Sequence, residues 1–214
     1  MLPEETPHYS KGNFDLEIKF DFGWKETVGN AYRGDYDLQK HMKHSKTDLS
    51  VAVDDGKGGK PRKVVPYVVE PSFGLERTLA GVLLHCFRED KERGWNWFAF
   101  PPKIAPYTIA VLPLMKKNGL PEKAREVCKQ LAQVKYDAIY DETGSIGKRY
   151  ARMDEIGVPY CATIDYQTLE DDTITLRDRN STKQVRVPIK GLCSTLWELI
   201  SGTKDFEKVG KLIK

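Results

Sequence analysis

Three prolines within six residues, Pro101, Pro102 and Pro106, follow directly on an aromatic-rich segment that holds Trp95, Trp97, Phe98 and Phe100. Each proline fixes φ and removes a backbone donor, so neither a helix interior nor a central strand can run through the cluster. The chain of 214 residues is long enough for one large or two modest domains. The proline cluster therefore marks a boundary, with one domain over residues 1–100 and a second over 102–214. Residues 54–63, DDGKGGKPRK, are also polar, but apolar runs flank them on both sides, which makes them a long surface loop.

The first domain opens on Phe14–Phe22, where apolar and charged residues alternate in the period of a strand with one wet face. A second strand is expected over Lys25–Ala31 and a third over Val64–Glu70, with Pro66 at its start or on an edge. Leu75, Leu79, Val82, Leu83 and Cys86 recur at helical spacing, giving Gly74–Phe87 an apolar stripe to pack on that sheet. In the second domain, strands at Tyr107–Leu114, Tyr136–Tyr140 and Pro159–Ile164 alternate with helices. One helix starts at Pro121 and carries Ala124, Val127, Cys128, Leu131 and Val134; a short one covers Ile146–Ile156. Thr173–Arg177 and Val185–Val187 pair as antiparallel edge strands, and a last helix runs over Ile189–Ile200 before Gly202. The order implies right-handed crossovers and a mixed sheet of about five strands flanked by helices, an α/β domain behind an α+β one.

With 40% hydrophobic and 30% charged residues, the chain can bury a core and is not disordered. No run nears the roughly 18 apolar residues of a membrane span, and the opening MLPEETPHYSKG is acidic and polar, so a cytoplasmic location is expected. The cysteines at 86, 128, 161 and 193 sit in apolar or amphipathic runs and read as buried free thiols. They lack the spacing of a zinc site, and His41 with His44 supplies at most two ligands, so no structural metal is expected. Gly56–Lys60 does not have P-loop spacing. The net charge of +3 is too small for non-specific nucleic-acid binding, though it leaves room for a local basic face on the second domain.

The densest candidate site is Glu70-Pro-Ser-Phe-Gly-Leu-Glu-Arg77. A strand delivers Glu70 and Ser72 two residues apart, on one face, and Gly74 turns the chain into a helix. Arg77 then stands in the first helical turn, where a cation opposes the helix dipole and calls for an anion such as phosphate. Glu70 prefers an ammonium. A pocket for an amine beside a phosphate is one reading; a surface arginine and a capping serine is the other. Glu26 and Arg33 offer a second pair, for a magnesium ion or hydroxyl and for a carboxylate or phosphate, or are solvated charges. In the second domain Lys148, Arg149, Arg152, Asp154, Arg177 and Arg179 can hold RNA phosphates and bases or form a solvated face. No nucleophile, base and orienter occur together, so covalent hydrolysis has no support.

The run Val68–Arg77 resembles the third signature motif of class II aminoacyl-tRNA synthetases, in the form carried by dimeric glycyl-tRNA synthetases of the archaeal and eukaryotic kind. Gly23–Glu26, Ala31–Leu38 and His41 resemble the strand and loop before that motif. Pro101–Pro106, Asp141–Tyr150, Arg152–Gly157 and Thr175–Arg179 resemble the anticodon-binding domain of the same family. The resemblance implies a C-terminal portion of the synthetase: the end of a class II antiparallel sheet with its motif-3 helix, then an anticodon-binding domain. It implies that Glu70 and Ser72 hold the amino group of glycine, that Arg77 clamps ATP phosphates and that Arg33 orients the substrate. Glu26 lies against the nucleotide or its Mg2+, and Arg149, Arg152, Asp154, Arg177 and Arg179 bind tRNA(Gly). It also implies a homodimer for the complete enzyme. The first two signature motifs have no counterpart in this chain, so it is expected to need a partner that supplies them and to be inactive alone. The alternative is a stand-alone tRNA-binding or regulatory paralogue.

Overall fold

The computed structural model describes residues 7–54, 56 and 58–213. The chain divides into two compact units, Met1–His85 and Cys86–Lys214. In the first, β1 (Gly12–Phe20) and β2 (Gly23–Gly34) form an antiparallel hairpin, and β5 (Val68–Phe73) pairs antiparallel with the other side of β2. Between β2 and β5 the chain makes an excursion through α1 (Tyr36–Ser45) and the short antiparallel pair β3 (Val51–Val53) and β4 (Arg62–Val64). Helix α1 covers the polar stretch that holds His41 and His44; it has no buried residue, so apolar periodicity could not announce it. Pro71 sits within β5, on an outer strand of this sheet, where a missing donor is tolerated.

Helix α2 (Leu75–Cys86) follows β5 through Gly74, whose N–H donates to the Thr27 carbonyl at 2.7 Å. The apolar stripe expected to pack on the sheet does not do so along its length. Leu75 is 75% exposed and Leu79 56%, whereas Gly81 is buried so closely against Ile18 of β1 that a Cβ there would lie 2.6 Å from Ile18 Cδ1. A glycine, not a leucine, makes the close approach. One sheet face, bearing Phe14, Leu16, Val69 and Phe73, is likewise more than half exposed.

The second unit starts with the two-stranded pair β6 (Phe87–Arg88) and β7 (Trp97–Phe98). It continues with β8 (Ile109–Pro113), α3 (Leu120–Gln133), β9 (Ala138–Tyr140), α4 (Ile146–Glu155) and β10 (Tyr160–Ile164). Then come α5 (Tyr166–Asp171), β11 (Thr173–Asp178), β12 (Gln184–Pro188), α6 (Leu192–Ser201) and β13 (Lys211–Ile213). Strands order as β13-β12-β11-β10-β8-β9, with β9, β8 and β10 mutually parallel and the rest antiparallel. This is the mixed open sheet with flanking helices read from the sequence, with a sixth strand: β13 pairs with β12, which is therefore not an edge.

Strands β8 and β10 are buried along their whole length, and Leu120, Ala124, Val127 and Leu131 of α3 close over Ile109, Val111 and Ile164. Two helices carry local start signals: Ser145 caps α4, and Asp165 with Thr168 forms a capping box on α5. Residues ahead of the prolines join this unit, because Arg93, Trp95 and Phe100 hydrogen-bond to Asp154 and Arg179. All four cysteines are free; Cys86 and Cys161 are buried as expected, but Cys193 is exposed.

Candidate active site

Residues opposite one another on antiparallel strands share a face. Ala31 faces Glu70, Gly29 faces Ser72, and Asp15 faces Gly29, so one face of the three-stranded sheet gathers Asp15, Glu70 and Ser72 around two small residues. Two irregularities in β2 complete the set. Pairing with β1 skips Thr27, and the extra residue brings the Glu26 carboxylate over Gly29, where a Cβ would lie 2.6 Å from Glu26 Oε1. Pairing with β5 skips Arg33, which turns towards Glu70.

Arg33 Nη1 donates to Glu70 Oε2, while Ser72 Oγ donates to Glu70 Oε1 at 3.0 Å. The other edge of the Arg33 guanidinium is held by Asp37 at the start of α1, through Nε to Oδ2 and through Nη2 to Oδ1 at 2.8 Å. Its flat face lies over the Tyr9 ring, 4.2 Å from the centroid. The hydrogen bond from Arg33 holds the Asp37 carboxyl below the usual range, and Asp37 and Glu70 together raise the guanidinium further above its ordinary value. Arg77 Nη1 donates to the Glu26 carbonyl at 2.8 Å, which ties the first turn of α2 to the irregular part of β2.

Glu26, Arg33, Glu70 and Ser72 are thus brought to one face, with Arg77 bonded to its rim. Sequence reasoning missed Asp37, Tyr9, Asp15 and Gly29. The period of two was a signal for 29, 31 and 33 sharing a face; nothing local announces that Asp37 completes the cluster.

The five residues expected to contact tRNA are placed differently. Arg149 is 2% exposed, and its guanidinium donates to the carbonyls of Pro113, Glu142 at 2.8 Å and Gly144 at 2.6 Å. Asp154 is fully buried and accepts both ends of Arg177 at 2.9 Å, Arg93 at 2.6 Å and Trp95 Nε1 at 3.1 Å. Arg179 donates to the carbonyls of Gly157 and Phe100, each at 2.6 Å. Burial alone disfavours the charge on both arginines. At Arg177 the Asp154 carboxylate overrides burial and the pKa is raised, whereas at Arg179, with carbonyl partners, burial leaves it lowered. These four residues, read from the sequence as part of a tRNA-binding face, are buried and take partners inside the domain. Arg152 differs: its side chain is 39% exposed and pairs with Asp141. Among the described residues no group of three or more His, Cys, Asp or Glu is arranged to hold a metal ion, and no helix is long and apolar enough to cross a membrane.

Comparison with known proteins adds two findings. Residues 108–199 match the family described as the anticodon binding domain. Curated relatives named glycine–tRNA ligase match most of the chain. The one from Clostridium acetobutylicum is 48% identical over 200 residues, covering 92% of this chain and 42% of the relative. That from Borrelia hermsii is 43% identical over 194 residues, covering 89% and 43%, and that from Treponema denticola 42% identical over 200 residues, covering 90% and 44%. The chain spans about two fifths of the length of these relatives.

Proposed function

Since the chain is homologous to bacterial glycine–tRNA ligases that carry an anticodon-binding domain, we propose that it provides the C-terminal part of such a ligase, working with glycine, ATP and tRNA(Gly) in the cytoplasm. The observation that carries the reading is the Glu70–Ser72–Arg33 cluster above Gly29 and Ala31. An ionised carboxylate offers about four acceptor positions, and Arg33 and Ser72 use two at Glu70, so room is left for the ammonium of a small amino acid. Glu70 fixes that ammonium and Ser72 holds the carboxylate in place. Arg33, anchored by Asp37 and Tyr9, faces the amino acid's own carboxylate, and Arg77 meets the phosphates. The chemistry asked of these groups is positioning and charge neutralisation while the glycine carboxylate attacks the α-phosphate of ATP and pyrophosphate leaves, after which the ribose hydroxyl of tRNA takes the glycyl group and AMP leaves. The carboxylates of Glu26 and Asp15 over Gly29 are oxygen donors that would hold Mg2+. The ion would supply neutralisation of phosphate charge.

The Val68–Arg77 run supports the dimeric class II form, of the archaeal and eukaryotic kind, as the finer assignment. We further propose that the chain does not aminoacylate alone, a view supported by the share of its relatives that it spans and by the bare apolar sheet face. Anticodon contact falls to Arg152 and other exposed cations of the second unit. The test is glycylation of tRNA(Gly) by the chain, with and without the separately expressed N-terminal portion of the Clostridium acetobutylicum relative. Glycyl-tRNA is expected only from the mixture. Product from the chain alone would overturn the dependence, and tRNA binding without product from either would favour the regulatory paralogue.

A further inference from the structure

Asparagines stand at 13, 30, 96, 118 and 180, and the fold treats Asn118 differently from the rest. An asparagine side chain is chemically labile where the backbone nitrogen of the next residue can reach its Cγ. That takes a small following residue, a backbone nitrogen free of hydrogen bonds and a side chain at liberty to turn. Asn13 and Asn30 lie within the paired strands β1 and β2. Asn96 is followed by the bulky Trp97 of β7. Asn180 is followed by Ser181, whose N–H donates to Asp178 Oδ2 at 2.7 Å, and Asn180 Oδ1 accepts from Arg179 Nε at 3.1 Å.

Asn118 meets all three conditions. It precedes Gly119, which has no Cβ to hinder the approach, and a Cβ built there would meet nothing within 4 Å. Both residues are exposed, in the loop between β8 and α3. Among the described residues the Gly119 N–H has no acceptor, whereas the next N–H, that of Leu120, donates to the Lys117 carbonyl at 3.3 Å. The Asn118 side chain makes one long contact, from Nδ2 to the Tyr166 hydroxyl at 3.4 Å, and that hydroxyl donates in turn to Met115 Sδ at 3.4 Å.

The charges nearby favour the reaction. The Gly119 nitrogen lies at the N-terminal end of the 14-residue α3. The helix dipole places about half a positive charge there. Exposed Lys116 and Lys117 come just before it in the loop. Both favour loss of the proton that the nitrogen must give up to attack. Asn118 has φ +60° and Gly119 φ +79°. An aspartate tolerates the left-handed region as an asparagine does, so the acid fits the same turn.

We propose that Asn118 is a site of spontaneous deamidation. The Gly119 nitrogen forms a bond to Asn118 Cγ, the Cγ–Nδ2 bond breaks, and ammonia leaves with the proton from Gly119, giving a succinimide. Water then opens the ring at the side-chain carbonyl to give aspartate, or at the main-chain carbonyl to give isoaspartate. Isoaspartate puts an extra methylene into the main chain just ahead of Leu120 and Pro121, which are buried under α3. Either product lowers the formal net charge of +3 by one. A carboxylate has no N–H to give Tyr166 and accepts from its hydroxyl instead, drawing it away from Met115 Sδ. The site stands independently of the ligase reading.

The test keeps the full chain folded at mildly alkaline pH in heavy-oxygen water and maps its peptides by mass spectrometry, with isoaspartyl methyltransferase marking isoaspartate. Asn118 is expected to take up label about tenfold faster than any other asparagine, giving both products, and Gly119→Ala to slow it about tenfold. Because alanine is strained at φ +79°, Asn118→Gln is the second variant. The unmodified chain is expected to develop an acidic ion-exchange peak that coelutes with Asn118→Asp and that Asn118→Gln does not develop. Faster conversion at Asn180 than at Asn118, or conversion of Asn118 only after unfolding in urea, would overturn the site. So would an acidic peak of equal size from Asn118→Gln.

Discussion

The two units use arginine in opposite ways. In the second, Arg149, Arg177 and Arg179 are at most 3% exposed and bind carbonyls and one buried carboxylate, locking loops and strand ends onto the sheet. In the first, Arg33 stands on an open sheet face next to the Glu70 carboxylate, which has acceptor capacity to spare, and exposed Arg77 bonds the Glu26 carbonyl at its rim. Motif-like arginines of equal prominence in the sequence thus serve as frame in one unit and as candidate ligand contacts in the other. What separates them is how completely the fold buries the guanidinium.

Removing a partner should break the comparison hardest in the second unit. Asp154→Ala leaves Arg177 and Arg93 buried without their carboxylate and is expected to cost about 3–5 kcal/mol. The loss should appear in urea unfolding and, by hydrogen exchange, within Cys86–Lys214. A cost below about 1 kcal/mol would mean the network is not the frame. The double replacement Asp154→Leu with Arg177→Met should recover much of the loss, because a packed apolar pair can replace a buried ion pair.

The corresponding change in the first unit should act on function and spare stability. Glu70→Gln in the reconstituted ligase is expected to lower kcat/KM for glycine by roughly thirtyfold, the loss of one charge-assisted hydrogen bond of about 2 kcal/mol. Unfolding should shift by under about 0.5 kcal/mol, as for other exposed substitutions. Gly29→Ala is the subtler probe. Its Cβ would collide with the flexible end of Glu26, so the fold should accommodate it while the Glu26 carboxylate moves and KM for ATP rises several-fold. An unaltered KM would remove Glu26 from the nucleotide site.

Acid should sharpen the contrast at smaller scale. At Asp165 and Asp141 burial opposes ionisation, but Arg186 and the Thr168 N–H at Asp165, and the Thr143 N–H and Arg152 at Asp141, hold the folded carboxyls below their ordinary value. A depressed folded pKa contributes stability that is present above the unfolded pKa, near 4, and is lost as pH falls through the folded one. The second unit should therefore lose stability on acidification below about pH 4, and Asp165→Asn should flatten that profile. The smallest effect is chemical. Cys193 should react first with a thiol reagent, while Cys161, whose thiol is pushed up to about 12 by burial, should stay unmodified until the second unit unfolds. Equal rates at the two sites would contradict the buried core.

Much of the second unit was legible because its strands and helices carry their own signals. Ile109–Pro113 is a continuous apolar run, Pro121 and Ala124–Leu131 mark a helix with one buried face, and Thr173–Asp178 pairs with Gln184–Pro188 across a polar turn. Helix α5 escaped because six residues are too few to show a period, although Asp165 and Thr168 hold its cap. In the first unit the alternation over Phe14–Phe22 announced β1, which ends at Phe20 because Asp21 and Phe22 form the hairpin turn. The exposed leucines of α2 misled, since periodicity records which residues share a face and not what that face touches. At the site, Glu70, Ser72 and Arg77 could be read from a strand running into a helix. The irregularities at Thr27 and Arg33 could not, because they arise from pairing with partners distant in sequence.

The central claim is that the Glu70–Ser72–Arg33 face recognises the amino group of glycine while Arg77 meets phosphate. The most direct measurement is a crystal structure of the reconstituted ligase with a non-hydrolysable glycyl-adenylate analogue. The expected result is the ammonium within hydrogen-bond distance of Glu70 and Ser72 above Gly29, with the phosphate-equivalent group against Arg77. An analogue bound with its ammonium elsewhere, and Glu70 engaged by Arg33 and Ser72 alone, would contradict it.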